Sequence, residues 1–479
     1  MRKVSTEINI SDLNSGQTEA FKKICDFISN KHSDEMFVLM GFAGTGKTFL
    51  VNRVIQHVRL RYPTYKIALT APTNKAVKVL RRAGQIKEDS RVSYQTIHKI
   101  LGLTEEITKE GLQIFTRKDH ARNSIKDYKV LVVDETSMLD DDLFEEIALY
   151  SSSVKIIFMG DPAQIPPVNR ADCIPFRDDD DVRDFNFKKY TLTEIMRQGI
   201  ENPIIHLGAR IRTHLTDNDA ASELRVTTIV NDTGIIYLNT SYRDQRDKAA
   251  ELLREKFCSQ EFTNDADYAK VIAWRNQTVN KMNSIIRGMI YPDGFQRIMI
   301  GEKLVANKPI LDEISGAAIF NTNDEFVVRG FDIKEMLCAT DADAVHLKYY
   351  DTEVEYELLD GSTDRICIPI LHESGEAAFK KAADHLKAEA IRTKGKDRSW
   401  VKYYNFLRQF ADVGYNYAIT AHKSQGSTYR YAFVIEDDID FNRRPTEMNG
   451  VTSQYFERNR IKYTAFTRPS KMLYILKKQ

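Results

Sequence analysis

Apolar positions along the chain fall into two rhythms. Apolar runs occur at Met36–Met40 and, each broken by a single lysine, at Tyr128–Val133, Val154–Met159 and Tyr268–Trp274. Short runs of this kind are the mark of strands buried on both faces of a parallel sheet. Between them lie stretches with helical spacing, as in residues 11–30, where Phe21, Ile24, Phe27 and Ile28 share a face and Ser15 is placed to cap the helix. The region from Asn202 to Asn264 reads mainly as helices with one strand at Gly234–Tyr237, and QTVNKMNSIIRGMI reads as a further helix. After Gly301 the period becomes two. Glu325–Ile333, Ala344–Tyr350, Glu353–Leu358 and Arg365–Leu371 predict a small antiparallel β-domain, followed by a helical, basic stretch over 373–410. The α/β rhythm resumes at GYNYAITAHKSQGS and runs to the end. Strands alternating with helices predict an α/β fold with parallel sheets, interrupted by an insertion. YQTIHKIL (94–101) opens a short helix, and residues 104–117 predict a hairpin with its turn at Lys109–Gly111 and Phe115 late in its second strand. At 479 residues the chain exceeds what one core usually organises.

The strand at Met36 leads into GFAGTGKTFL, in which Gly41, Gly46, Lys47 and Thr48 fit G-x-x-x-x-G-K-[ST]. By composition, on the order of 0.02 chance matches are expected in a chain of this length. Glycines let backbone amides converge on phosphate oxygens, and the next helix aims its positive end at the same anion. Gly41, Gly44, Thr45, Gly46, Lys47 and Thr48 are therefore candidate nucleotide contacts, Lys47 for the terminal phosphates and Thr48 for Mg²⁺. A plain glycine turn before a helix is the alternative, and the apolar run in front speaks against it.

An acid pair, Asp134-Glu135, ends the strand Tyr128–Val133. Acids at the carboxyl end of such a strand lie where α/β sheets bind ligands. Asp134 is a candidate Mg²⁺ ligand and Glu135 a candidate for activating water, although an acid pair can also simply cap a helix. Gln164, in the GDPAQIPPV segment, is placed to touch a terminal phosphate or its attacking water. Arg197 follows a strand-like segment in YTLTEIMRQ. Gln17, at the start of the first helix, either reads an adenine edge with its amide or is a solvated first-turn residue. The Arg177–Asp184 run reads as a solvated loop without metal-loop spacing.

Composition changes the picture in two places. The formal net charge is only +1, so any nucleic-acid site must be local. Residues 36–87 hold ten Lys or Arg and no acid, and the nucleotide accounts for Lys47 alone. The remainder points to a second polyanion, most simply a nucleic-acid backbone. Its candidates are the basic residues Lys75, Lys78, Arg81 and Arg82 of the helix that follows the T-A-P-T-N-K turn. His98 and Phe115 read alone would be core residues. Cys25, Cys173, Cys258, Cys338 and Cys367 have no paired spacing, which argues against a zinc site or disulfide framework and fits a reducing cytoplasm. The N-terminal segment has no apolar core of signal length, and no run approaches a membrane span.

Taken in order, GFAGTGKT, LTAPTNKA, QTIHKIL, VVDETSM, GDPAQIPPV, LTEIMRQ, YAITAHKSQGS and YTAFTR resemble the motifs of helicase superfamily 1, in its RecD-like branch with the Dda-type phage helicases. The match spans Gly41 to Arg468. The resemblance implies two RecA-like P-loop domains: 1–198, with a hairpin or pin insertion at 99–122, and 199–300 with 406–479. It implies an SH3-like β insertion at 301–405. It implies ATP and Mg²⁺, with Gln17 at adenine, Lys47, Glu135, Gln164, Arg197 and Arg468 as catalytic residues, and Asp134 with Thr48 at the metal. Gln425 and Gly426 would link nucleotide and nucleic acid. Pro72, Thr73, His98, Thr420, His422 and Lys423 would line the nucleic-acid path, with Phe115 at the strand junction. Met196 stands where related chains often carry an aromatic that stacks on adenine. Asn169-Arg170 replaces a common glycine, and Pro469 a frequent alanine. The implied activity is an ATP-dependent DNA helicase moving 5′ to 3′ on single-stranded DNA and opening duplex junctions in replication, recombination or repair. The implied state is a monomer in the cytoplasm (of a host cell, if phage-encoded), with single-strand-binding or replisome proteins as candidate partners and no membrane association.

Two other readings remain open on the residues alone. One is an RNA-directed helicase or a translocase that separates no strands. The other is a P-loop switch or DNA-binding module without a motor, which would have no use for Glu135, Arg197 and Arg468.

Overall fold

The computed structural model of the chain describes residues 10–478, apart from 31–34, 85–88, 108–112, 118–121, 168–169, 179–183, 197–200, 219–225, 266, 294–295, 313–317, 340–343, 395–397 and 449–450. The chain divides into two compact units: Met1–Gly102 with Arg122–Met282 and Ala418–Gln479, and Leu103–Ala121 with Asn283–Tyr417.

The first unit holds two sheets. The chain runs α1 (Ser15–Ser29), β1 (Met36–Gly41), α2 (Lys47–Arg61), β2 (Ile67–Ala71), α3 (Asn74–Gly84), β3 (Val92–Thr96) and α4 (Ile97–Leu101). After the hairpin strands β4 (Leu103–Ile107) and β5 (Gln113–Arg117) come β6 (Val130–Val133), α5 (Asp141–Ala148), β7 (Lys155–Gly160) and β8 (Phe187–Leu192). The first sheet has the order β3-β2-β6-β7-β1-β8 and is parallel throughout. Helix α2 forms because Leu50, Val51, Val54, Ile55 and Val58 recur at helical spacing, and it buries that stripe together with Phe21, Ile24 and Ile28 of α1. Truncating one of these to alanine costs about 2–5 kcal/mol.

Next follow α6 (Pro203–Thr213), β9 (Thr228–Val230), β10 (Thr233–Asn239), α7 (Arg243–Phe257), α8 (Gln260–Asn264), β11 (Ala269–Ala273) and α9 (Asn276–Ile290). The second unit then contributes β12 (Lys303–Ala306), β13 (Ile310–Leu311), β14 (Ala318–Phe320), β15 (Glu325–Ala339), β16 (Ala344–Glu357), β17 (Thr363–Leu371), α10 (Glu376–Arg392), α11 (Ser399–Leu407) and β18 (Val413–Tyr415). The chain closes with β19 (Ala418–Thr420), β20 (Tyr429–Ile435), α12 (Glu436–Asp440), β21 (Thr446–Met448), β22 (Val451–Ser453), α13 (Phe456–Phe466) and β23 (Pro469–Lys477). The second sheet has the order β19-β11-β20-β23-β10-β9 and is parallel except for β9. The fold is α/β with two parallel-sheet, RecA-like domains, as expected.

In the second unit β17-β16-β15-β12-β18 form an antiparallel sheet around Phe326, Val328, Tyr350, Val354 and Ile370. The hairpin β4–β5 pairs Phe115 with Glu105 in register. Its expected turn, Lys109–Gly111, lies outside the described residues.

The sequence expectations need five corrections. Asn14, not Ser15, caps α1; it accepts from the Gln17 amide at 2.8 Å, while the Ser15 hydroxyl turns to Glu194 at 2.6 Å. The first residues of YQTIHKIL belong to strand β3, an edge strand with neighbours on one side only, whose polar composition hid it. A second strand, β9, precedes Gly234 through a tight turn with Asn231 and Asp232 at φ 47° and 63°. Ala344–Tyr350 and Glu353–Leu358 are one strand through Glu357, because Asp351 pairs with Lys334 across the sheet and Thr352 is fully buried. The β-sheet also takes in β18, beyond residue 405.

Candidate functional site

The carboxyl ends of β1, β6 and β7 lie side by side, and each carries a predicted motif. Gly44 and Gly46 of the phosphate loop have φ of +85° and +75°, conformations that favour glycine. A Cβ on Gly46 would meet the Gln17 amide nitrogen at 2.5 Å and the Met196 sulfur at 2.6 Å. Gln17 is fully buried, not solvated. Its Nε2 donates to the Thr45 carbonyl at 2.9 Å, and its Oε1 accepts from the Asn14 amide at 3.2 Å. It thus braces the loop from outside. Thr45 turns its hydroxyl back to the Phe42 carbonyl. Lys47 begins α2 and folds its ammonium onto the Gly41 carbonyl at 2.5 Å, and Thr48 follows in the first turn of the same helix.

Asp134 and Glu135 leave the end of β6. Glu135 is left-handed at φ 52°, ψ 40°, costly for a non-glycine residue. The Asp134 carboxylate accepts the Glu135 amide at 2.8 Å, which helps hold that turn. Desolvation, then the charge of Glu135, pushes the Asp134 carboxyl up to about 7, while Lys47 pulls it down. Gln164 is buried beyond β7, and its Oε1 has no hydrogen-bond partner among the described residues. A buried acceptor costs free energy unless it is paired, so its position suits a ligand or water donor.

The second sheet reaches this edge through the loop after β19. Gly426, at φ +68°, lies where a Cβ would stand 2.9 Å from the Ala76 side chain and 3.5 Å from that of Glu135. Gln425 donates its Nε2 to the Ile165 carbonyl at 2.8 Å. Arg468 is not aimed at the phosphate loop. Its guanidinium donates to the carbonyls of Thr464 at 2.9 Å and Ser427 at 3.2 Å. Arg197 lies outside the described residues. Sequence reasoning missed the inner face of α13. Arg460 donates to the carbonyls of Ala171 and Pro162, and the Thr464 hydroxyl accepts the Ile165 amide at 3.2 Å. The signal was present: Arg460 and Thr464 are polar residues four apart in a helix with little solvent exposure.

The nucleic-acid candidates group at the strand ends on one flank of each sheet. Pro72 and His98 lie together past β2 and β3, with a hydrogen bond between His98 and the Pro72 backbone. Burial lowers the His98 imidazole to about 4, so it is neutral at pH 7. Thr73 caps α3 through the Ala76 amide, with Asn74 opening that helix. Lys75 is engaged with Asp267 at 3.1 Å and lies 4.9 Å from the Tyr429 ring centre, both in the second-sheet part of the unit. Thr420 is buried and accepts the Lys423 amide, while Lys423 itself is exposed. Desolvation lowers both the His422 and Lys423 values, that of His422 against the charge of Glu457. In the second unit Phe115 is 40% exposed. Its register partner Glu105 is buried and accepts from the Thr322 hydroxyl at 2.6 Å and amide at 3.2 Å. Among the described residues no helix is long and apolar enough to cross a membrane.

A P-loop and acid pair on one parallel sheet, met by a motif loop from a second, define a two-domain P-loop motor NTPase. A family model described as an AAA domain matches residues 12–236. The ATP-dependent DNA helicase Dda of Enterobacteria phage T4 is 28% identical over 452 residues, 91% of this chain and 94% of its own. An uncharacterized protein, R530 of Acanthamoeba polyphaga mimivirus, is 25% identical over 91% of this chain and 96% of its own. Among solved structures, the Pif1 helicase from Candida albicans is similar over 98% of this chain and 95% of its own, at 16% identity and a TM-score of 0.46. In its ordered motifs and over most of its length the chain is similar to the superfamily 1 helicases, in the Dda, Pif1 and RecD-like group.

Proposed function

We propose that the chain is an ATP-dependent DNA helicase that moves 5′ to 3′ along single-stranded DNA and opens duplex ahead of it, in replication, recombination or repair. The observation that carries this reading is Gly426, packed against both Glu135 and Ala76. The loop from the second sheet thereby touches the acid proposed to activate water and the helix whose first turn carries the T-N-K motif. A passive nucleotide binder has no need of that meeting point; a motor does, because hydrolysis must change the grip on DNA.

The residues fit ATP and Mg²⁺. Asp134, desolvated beside Glu135, gains from a nearby cation, and the unpaired Oε1 of Gln164 accepts a donor. Thr48 and Asp134 would hold Mg²⁺, with Gly41, Gly44, Thr45, Gly46 and Lys47 around the phosphates and Gln17 on the adenine side. The bound Mg²⁺ would supply charge neutralisation on the phosphates. Glu135 orients water, Gln164 holds its position, and Arg197 and Arg468 meet developing charge once the domains close. For Arg468 this requires release from the Thr464 and Ser427 carbonyls. Pro72, Thr73, Asn74, Lys75, His98, Thr420, His422 and Lys423 form the DNA path, and Phe115 stacks at the junction. The matching division of the chain is 1–198 with a pin at 99–122, 199–300 with 406–479, and an inserted domain at 301–405. The protein acts as a monomer, alongside single-strand-binding or replisome proteins.

ATP turnover measured with no nucleic acid, single-stranded DNA and single-stranded RNA tests the reading. DNA should stimulate turnover strongly and RNA weakly. Turnover indifferent to DNA would refute the motor, and stronger stimulation by RNA would redirect it to an RNA substrate.

A further inference from the structure

Helix α13 ends two residues before Arg468, and its inner face is tied to the loop that follows β7. The Tyr463 hydroxyl donates to the Asp161 carboxylate and accepts the backbone amide of Ala43 at 3.3 Å. Ala43 is the second residue after Gly41, inside the phosphate loop. The other oxygen of Asp161 accepts the Ala163 amide at 3.0 Å. The result is a continuous chain of hydrogen bonds from the phosphate loop, through a side chain of the second-sheet helix, to the end of β7. Tyr463 and Asp161 are each 1% exposed, so water does not substitute for either partner. One turn back Arg460 holds the same loop by the Pro162 carbonyl at 2.9 Å, and Thr464 holds it by the Ile165 amide. Arg468 in turn rests on the Thr464 carbonyl.

We propose that Tyr463 is a positioning residue for ATP hydrolysis: its hydroxyl sets the phosphate loop and the β7 end in register with the helix that carries Arg468. The inference rests on the hydrolytic reading above. Burial and the charge of Asp161 raise the phenol well above its ordinary value, so the hydroxyl stays protonated and available as a donor. The ring belongs to a buried apolar cluster that includes Leu207, Ile461 and Phe466, and that packing survives loss of the oxygen. Tyr463→Phe therefore removes the register and spares the core.

The test compares steady-state ATP turnover with saturating single-stranded DNA, and melting temperature, for the unaltered chain, Tyr463→Phe, Asp161→Asn, the double variant and Tyr474→Phe. Tyr474 stacks on Phe433 inside the second sheet and serves as the control for losing a buried hydroxyl. The expected result is a fall in kcat of about tenfold for Tyr463→Phe, the worth of about one hydrogen bond to a charged group, with KM for ATP within about twofold. The double variant should be no slower than the slower single variant, and Tyr474→Phe should turn over normally. Unchanged kcat in Tyr463→Phe would overturn the inference while leaving the helicase reading in place. So would a matching loss in Tyr474→Phe, or a fall in kcat that merely tracks a lower melting temperature. No hydrolysis by the unaltered chain would overturn the helicase reading itself, and this inference with it.

Discussion

At the level of single residues, Lys47 is the cation of the phosphate loop, and its ammonium donates to the loop's own Gly41 and Phe42 carbonyls. Lys47→Ala should abolish ATP turnover while sparing DNA binding measured without nucleotide. Near-normal turnover would remove this loop from the mechanism. Arg468→Ala should lower kcat by about 10³-fold with ATP affinity little changed, as for other arginine fingers. A change confined to KM would make it a ground-state contact instead. His98 gives a pH prediction whose sign follows from burial. Its folded-state value, about 4, lies below the ordinary histidine value. Between the two the unfolded chain binds more protons, so this histidine's contribution to stability is present at pH 7 and is lost as pH falls from about 6.5 towards 4. Thermal melts at pH 7.5 and 5 should show a smaller loss in His98→Gln than in the unaltered chain, and an equal loss would place His98 in solvent. The phosphate loop and acid pair were legible because glycines and paired acids at strand ends serve few other purposes. Tyr463 was not, because a single tyrosine in a helix reads as core, and its oxygen finds Asp161 only when two distant segments fold together.

At the level of elements, the buried strands were read well and the edges poorly. β1 and β6 are apolar on both faces, and β7 and β11 are so but for one lysine each, a pattern that only a central parallel strand requires. β3 and β9 sit at sheet margins, where one-sided pairing permits polar residues. In β16 the Asp351-Thr352 pair resembled a break, and the partner that resolves it, Lys334, is seventeen residues earlier on the neighbouring strand. The hairpin β4–β5 is anchored by Glu105 to the Asn321–Asp324 turn of the β-domain, so it need not be stable alone. Phe115, 40% exposed on that hairpin, is the residue proposed to meet the junction. Stacking on a base is worth about 1–3 kcal/mol, close to the roughly 1.4 kcal/mol of an opened base-pair step. Phe115→Ala should slow unwinding several-fold with single-strand translocation and DNA-stimulated turnover near normal. Equal losses in all three, with a lower melting temperature, would make Phe115 a packing residue. The basic turn divides in the same way. Lys423→Ala should flatten the slope of log affinity against log salt by about 0.7, as expected for one phosphate contact on a single strand. Lys75→Ala should leave that slope nearer its original value, because Lys75 is engaged with Asp267. The reverse order would make Lys75 rather than Lys423 the phosphate contact.

Across the whole molecule, the near-neutral net charge conceals two local assignments, a phosphate loop and a basic flank on strands of the same sheet. The proposed nucleotide and DNA sites would exchange free energy through the sheet they share, and the close approach at Gly426, where a Cβ would stand 2.9 Å from Ala76 and 3.5 Å from Glu135, would give that exchange a route. The fold class was legible because strand and helix rhythms persist over hundreds of residues. The limits of the inserted domain were less so, since β18 joins its sheet only after two helices have intervened. The proposed direction of travel has no single residue to carry it and would follow from how two domains alternate their hold on one strand. The most direct measurement is strand displacement from a duplex bearing a single-stranded 5′ tail or a 3′ tail, with Mg²⁺ and ATP. The expected result is rapid displacement from the 5′-tailed duplex, little from the 3′-tailed one, and none from either with Lys47→Ala. Displacement that proceeds equally without ATP, or none from either duplex despite DNA-stimulated hydrolysis, would contradict the assignment of this chain as an ATP-driven helicase.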